Sequence, residues 1–169
     1  LKAARFSSAS SGTVDTLRSG SLHGASSETT DGESVCRLLP GLKNQVVVLA
    51  GATSVGKSKV ATFFSRHMGN CEIIIADSVQ IYKHLDIGSN KPTVEEQSEI
   101  PHHLVDIREP HESYSCGEFV RNCKPIIYDI LNRDKIPVIV GGSTLWLQWL
   151  VQGIPDVLLP KDEKIAKSR

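Results

Sequence analysis

The chain has 169 residues, 40% hydrophobic and 22% charged, the make-up of a single soluble globular unit. Its 19 basic and 19 acidic side chains cancel, so bulk charge argues neither for nor against nucleic acid, and any basic surface must be local. No apolar run approaches the roughly 18–20 residues of a membrane-spanning helix, so no membrane partner is expected.

Residues 1–43 read as a disordered leader: rich in Ser, Thr and Gly, and without helical or strand periodicity. Up to Ser27 its charges are Lys2, Arg5 and Arg18 against Asp15 alone. Serine-rich, arginine-bearing and acid-poor is the composition of an organelle transit peptide, with a plain flexible tail as the alternative. The four cysteines, Cys36, Cys71, Cys116 and Cys123, form no C-x-x-C pair, so a zinc site is unsupported. They read as reduced thiols of an intracellular protein, placed in the cytoplasm or, if the leader is a transit peptide, in a mitochondrion or chloroplast.

Residues 44–158 carry an alternating pattern. Gln45–Ala50 is an apolar strand, and Lys57–Met68 is a helix with Val60, Phe63, Phe64 and His67 at helical spacing, closed by Gly69. Ile73–Ala76 is a second buried strand. Thr93-x-x-Glu96 and Ser115-x-x-Glu118 are capping boxes that open two more helices. The second of these carries Phe119, Cys123, Ile126, Ile127, Ile130 and Leu131 on one face, and Pro125 inside it is expected to kink or split it. Val138–Val140 is a third buried strand and Ser143–Leu150 the next helix, while residues 159–169 read as the start of a truncated helical segment. Continuous apolar strands alternating with helices predict an α/β fold: a parallel sheet covered on both faces, with ligands at the carboxyl ends of the strands.

One loop at those strand ends has a specific chemistry. Gly51-Ala52-Thr53-Ser54-Val55-Gly56-Lys57-Ser58 reads G-x-x-x-x-G-K-S between a strand and a helix, the pattern that wraps backbone N–H groups around phosphate oxygens. Lys57 adds a point charge, the following helix adds the positive end of its dipole, and Ser58 can offer its hydroxyl to a Mg²⁺ held by the phosphates. A diphosphate or polyphosphate ligand is expected. Asp77, at the end of the second strand, has three open readings: a Mg²⁺-binding acid, a general base toward an acceptor, or a solvated strand end. Its neighbours Ser78, Val79 and Gln80 offer hydrogen bonds to an amide-like or base-edge group, glutamine being suited to an adenine edge. Gly141-Gly142-Ser143-Thr144 lets the backbone pass close to a ligand and opens a helix, so a second diphosphate contact is expected there. His102 and His103, adjacent in an extended segment, point apart and make poor metal partners. Lys91 could touch a phosphate backbone but reads first as a surface lysine, and Trp146 and Trp149 read as core or interface.

Six segments occur in register: the phosphate loop, Asp77–Tyr82 (D-S-V-Q-I-Y), Asp86–Pro92 (D-I-G-S-N-K-P), Pro101–Asp106 (P-H-H-L-V-D), Tyr114–Phe119 (Y-S-C-G-E-F) and Gly141–Ser143. Together they resemble the N-terminal part of the tRNA dimethylallyltransferase (tRNA isopentenyltransferase) family, in a plant-type or other eukaryotic form. The resemblance implies a P-loop NTPase-like three-layer fold, incomplete at the C-terminus, and the transfer of a dimethylallyl group from dimethylallyl diphosphate to N6 of the adenosine 3′ of a tRNA anticodon. It implies Asp77 as base, Ser143 on the diphosphate, Asp77 with Ser78, Val79 and Gln80 around the adenosine, and Mg²⁺ as cofactor. Thr144 and Trp146 depart from the family's usual glycine and tyrosine. The expected partners are dimethylallyl diphosphate and the anticodon stem-loop, the complete protein being a monomer and residues 1–169 alone inactive on tRNA. The rival readings are an adenylate isopentenyltransferase of cytokinin synthesis, a P-loop small-molecule kinase, and a non-catalytic phosphate-binding remnant.

Overall fold

In the computed structural model, which describes residues 2–6, 14–16 and 45–155, the alternating pattern becomes a six-stranded sheet. In chain order the elements are β1 (Lys2–Phe6), β2 (Val14–Thr16), β3 (Gln45–Ala50), α1 (Lys57–Met68), β4 (Cys71–Ile75), α2 (Val94–Glu99), β5 (His102–His103), α3 (Cys116–Asn132), β6 (Ile136–Gly141) and α4 (Thr144–Gln152). The sheet order is β2-β1-β3-β6-β4-β5. Strands β3, β6, β4 and β5 are parallel, with Val48 opposite Ile139 and Ile74 opposite both Ile139 and His103.

The run of apolar residues along each parallel strand is explained by the two faces it serves. Val46, Ile74, Ala76 and Ile139 pack with Phe119, Cys123, Ile127 and Ile130 of α3 and with Trp146, Leu147 and Leu150 of α4. Val47, Leu49, Ile73, Ile75, Val138 and Val140 pack on the other face with Ala61 and Phe64 of α1. Successive strand residues point to opposite faces, so a strand buried on both needs no polar alternation. The result is three layers, helix on sheet on helix, as in P-loop NTPase-like folds. Cys71 lies in the α1-side core and Cys123 in the α3-side core. Burial pushes their thiols up to about 11 and about 12 respectively.

Several local expectations change in three dimensions. The buried residues of α1 are Ala61, Thr62, Phe64 and Ser65; of the expected stripe only Phe64 is buried, and Val60 and Phe63 face solvent. Small residues let α1 lie close to the sheet, and hydrophobicity alone does not reveal that. Helix α3 runs unbroken through Pro125. Proline removes one N–H, and Pro125 is on the exposed side of the helix, where the carbonyl it leaves unpaired can meet water. The leader expected to be disordered contributes two strands. β1 pairs antiparallel with β3, Lys2 opposite Val48 and Arg5 opposite Gln45, and β2 pairs with β1. The physical reason is the flank of β3, whose unpaired N–H and C=O groups accept backbone pairing from a segment of any composition. The rest of residues 1–43, and the helical start expected at 159–169, lie outside the described residues. Among the described residues no helix is long and apolar enough to cross a membrane.

At the amino end of β4, remote from the strand ends that carry the phosphate loop, Glu72 is buried with four donors around it. Arg133 approaches its carboxylate through both terminal nitrogens, Lys135 Nζ donates to Oε1 at 2.7 Å, and His103 Nε2 lies 2.8 Å from Oε2. The Arg133 guanidinium, opposed by burial and helped by Lys135 and His103, holds the Glu72 carboxyl well below the usual carboxylate range. Its stabilising contribution is therefore present above the ordinary value of 4.5 and is lost progressively as pH falls below it. Glu72→Ala is expected to cost roughly 3 kcal/mol at pH 7, the lower end for breaking a buried ion pair, because Arg133 and Lys135 retain access to water. Urea melts at pH 7 and pH 3 check this: the gap between wild type and variant should shrink at the lower pH.

Candidate functional site

The site is assembled by two strand ends that come unusually close. Ala76 N–H donates to the Val140 carbonyl at 2.8 Å, and Ser143 N–H reaches the Ala76 carbonyl at 3.4 Å. A Cβ on Gly141 would stand 1.9 Å from the Ala76 carbonyl oxygen. Only glycine permits this crossing. It sets Asp77, which follows Ala76, beside the loop that follows β3.

The loop itself departs from ordinary backbone. Ser54 (φ 65°) and Gly56 (φ 87°) both occupy the left-handed region, which turns successive N–H groups inward. Gly56 caps α1 without a side-chain bond, and the first turn of α1 has no acidic residue. Its orphan N–H groups and the positive dipole end are thus left for an external anion. Lys57 folds back over the loop, its Nζ donating to the Ala52 carbonyl.

A cavity of about 390 Å³ opens above this loop. It is lined by Thr53, Ser54, Gly56, Lys57, Ser58 and Lys59 on one side, by Ile75, Val140 and Gly141 at the floor, and by Asp77, Gln80, Ser89 and Asn90 opposite. Of the residues expected at the site, Thr53, Ser54, Gly56, Lys57, Ser58, Asp77 and Gln80 line it. Gly51, Ala52 and Val55 shape the loop without lining the cavity. Ser78, Val79 and Ser143 also stand outside the lining. Ser143 acts as a clamp, its Oγ accepting the Ser78 N–H at 3.2 Å, which ties the turn after β4 to the start of α4.

Asp77 is held by its own turn. Its Oδ1 accepts the Val79 N–H at 2.9 Å and the Gln80 N–H at 3.4 Å. Among the described residues no hydrogen bond is made to Oδ2, so one carboxylate oxygen is fixed and the other is available. Gln80, expected at a base edge, lines the cavity and is tied to its far wall. It is buried, and its amide nitrogen donates to the carbonyls of Ser89 (2.9 Å) and Asn90 (3.3 Å), leaving only Oε1 for a ligand.

Lys91, read from sequence as a surface lysine, is the support of that wall. Its side chain is 4% exposed and its Nζ donates to Asp86 Oδ1 and Asp106 Oδ1, both at 2.6 Å, and to the Tyr82 carbonyl at 2.9 Å. The two carboxylates outweigh burial and raise its pKa above the ordinary lysine value. One cation therefore joins Asp77–Tyr82, Asp86–Pro92 and Pro101–Asp106, three segments that sequence showed only as separate strings. The polar cavity residues not anticipated are Lys59, Ser89 and Asn90. A second lysine in the first turn of α1, against the dipole, was the signal for Lys59. Nothing local marks Ser89 and Asn90, which Gln80 brings in from nine and ten residues away. Among the described residues no three His, Cys, Asp or Glu side chains form a metal cluster.

Residues 80–169, more than half of the chain, match the family model described as IPP transferase. The chain belongs to the IPP transferase family. It is 44% identical over 126 residues to tRNA dimethylallyltransferase 9 of Arabidopsis thaliana, covering 75% of this chain and 27% of that protein. With the tRNA dimethylallyltransferase of Anoxybacillus flavithermus it shares 50% identity over 107 residues, 63% of this chain and 34% of the relative. The crystal structure of the full-length tRNA isopentenylpyrophosphate transferase of Bacillus halodurans superposes with a TM-score of 0.62 at 34% identity, over 73% of this chain and 43% of that one. A eukaryotic dimethylallyltransferase captured acting on tRNA gives 0.61 at 35% identity, over 70% and 30%. The chain thus spans about a third of the length of the curated relatives it matches.

In this member of the IPP transferase family the strand crossing is the most exacting local constraint. Gly141→Ala is expected to destabilise by about 3 kcal/mol, the upper range for overpacking, because backbone blocks the new methyl. Gly88→Ala, where nothing lies within 4 Å of the added carbon, should stay within about 0.5 kcal/mol. Chemical denaturation of both variants beside wild type makes the comparison.

Proposed function

We propose that this chain carries the diphosphate site and the base of a tRNA dimethylallyltransferase, moving a dimethylallyl group from dimethylallyl diphosphate to N6 of the adenosine 3′ of the anticodon. The observation that carries the reading is the pairing, in one cavity, of a phosphate-wrapping loop with a carboxylate that has one oxygen fixed and one available. The family membership and the named activities of the relatives support it.

The reaction makes two opposite demands. Breaking the bond between the donor's C1 and its diphosphate oxygen leaves negative charge on the diphosphate. Preorganised donors at the loop N–H groups, the α1 amino end and Lys57 stabilise that charge where it develops. Forming the new bond from adenine N6 to C1 makes the amine acidic, and Asp77 takes its proton at Oδ2 while Oδ1 stays tied to its own turn. The electrons of the broken C–O bond leave with the diphosphate, and the transferred proton ends on Asp77. Ile75 and Val140 at the cavity floor supply an apolar surface beside the reacting carbon.

The residues present fit a magnesium ion held mainly by its substrate. The hydroxyl of Ser58 lines the cavity at the first turn of α1, a hard oxygen donor of the kind Mg²⁺ uses together with phosphate oxygens and water. When bound, Mg²⁺ supplies positive charge against the leaving diphosphate.

Two variants test the assignment in the protein expressed from its complete reading frame. Lys57→Ala should weaken dimethylallyl diphosphate binding by roughly 10- to 100-fold in a calorimetric titration, the worth of a charge-assisted contact. Asp77→Ala should leave that affinity nearly unchanged and lower kcat by roughly 10²- to 10⁴-fold, as loss of a general base does. If Asp77→Ala abolishes diphosphate binding while single-turnover transfer persists, Asp77 serves the metal and another group takes the proton. Supplying unmodified tRNA and adenosine monophosphate in parallel separates the tRNA enzyme from the cytokinin-forming alternative.

A further inference from the structure

Beside the catalytic cavity the structure holds an apolar tip in water. Ile87 is 98% exposed, and Val79 (46%) and Leu85 (43%) flank it. With His84, Asp86, Gly88 and Ser89 they line an open concavity of about 490 Å³. Single exposed aliphatic side chains are ordinary on protein surfaces. Three around one concavity, on a hydrogen-bonded loop, are a different matter.

Several hydrogen bonds tie the loop down. Ser89 Oγ donates to the Leu85 carbonyl, Asn90 N–H to the Ile87 carbonyl at 3.3 Å, and Lys91 N–H to the Asp86 carbonyl at 3.4 Å. Gln80 holds Ser89 and Asn90 from within, and Lys91 holds Asp86. The charged groups nearby are paired: Asp86 shares Lys91 with Asp106, and Lys83 meets Glu109 at 2.6 Å. An aliphatic surface whose nearby lysines are both paired with carboxylates suits the flat face of a nucleobase better than a phosphate. It is also continuous with the acceptor site. Ser89 lines both the concavity and the catalytic cavity, and Val79 lies between Asp77 and Gln80 in sequence.

Resting on the transfer reaction proposed above, we infer that Ile87, with Leu85 and Val79, is the wedge that occupies the stack vacated by the acceptor adenosine and packs against its neighbouring base. An adenine N6 inside a stacked loop cannot reach Asp77 in a cavity unless the nucleotide turns out of the stack. Proteins that unstack bases insert aliphatic side chains into the gap, which offsets the lost base–base contact. Ile87 stands at the rim where that gap would form. It is a positioning residue and touches no reacting atom.

The test uses the protein from its complete reading frame and an anticodon stem-loop RNA carrying 2-aminopurine at the acceptor position. This base fluoresces when unstacked and has no N6 amine to react, so the signal is independent of chemistry. Wild type should raise the fluorescence on binding. Ile87→Ser should reduce the rise several-fold and weaken RNA binding about 5- to 100-fold, the range for losing one stacking contact. Dimethylallyl diphosphate affinity should be unchanged, and Ile87→Met should restore most of the signal. Ile87 belongs to neither core cluster of this chain, and Leu85→Ser gives a second, weaker variant of the same surface. An Ile87→Ser protein with wild-type fluorescence and RNA affinity would overturn the wedge while leaving the transfer reaction standing. Failure of wild type to bind the RNA would overturn the transfer reading and the wedge with it.

Discussion

The closeness of β4 and β6 at their carboxyl ends is the constraint on which the site depends. Because residue 141 has no side chain, the Ala76 carbonyl can press against its backbone, and the turn after β4 meets the turn after β6. The Ser143 hydroxyl then reaches the Ser78 N–H, and Asp77 is carried toward the loop that leaves β3. Since β6 lies between β3 and β4 in the sheet, widening either interval by a methyl group would separate the anion site from the carboxylate. A reaction that needs a leaving group and a base a few ångströms apart is sensitive to that interval.

Charge is divided between the two ends of the sheet. At the phosphate-loop end the loop N–H groups, Lys57 and Lys59 supply positive character, with no carboxylate paired to either lysine among the described residues. At the opposite end Glu72 gathers Arg133, Lys135 and His103 into a closed cluster. A separate ionic knot, Lys91 with Asp86 and Asp106, secures the wall that faces the phosphate loop. A formal net charge of zero thus conceals an uneven distribution of paired and unpaired charge over the described residues.

Much of this was legible in the sequence because it is local. A glycine-rich turn between a strand and a helix, a capping box, and a strand end bearing aspartate each have their physical cause within a few residues. So the phosphate loop, Thr93, Ser115, Gly69 and Asp77 were placed where the structure has them. What could not be read depends on partners distant in sequence. The burial of Lys91 depends on two carboxylates 5 and 15 residues away, and the anchoring of Gln80 depends on carbonyls of another loop. On α1, close approach to the sheet selects Ala61 over the larger Val60, a preference that hydrophobic periodicity does not carry. Strand β1 went unseen because backbone pairing to an open edge leaves little mark in side-chain composition.

The two buried thiols have a use that follows from their placement. Cys71 and Cys123 sit in separate cores on opposite faces of one sheet, and both are protonated far above neutral pH. A thiol in that state does not react until its layer parts from the sheet and lets it ionise. Each cysteine is therefore a native reporter of one layer. Alkylation of Cys71 clocks the detachment of α1 and alkylation of Cys123 that of α3 and α4. Their relative rates tell whether the phosphate-loop layer opens as an independent unit or only when the whole fold unravels.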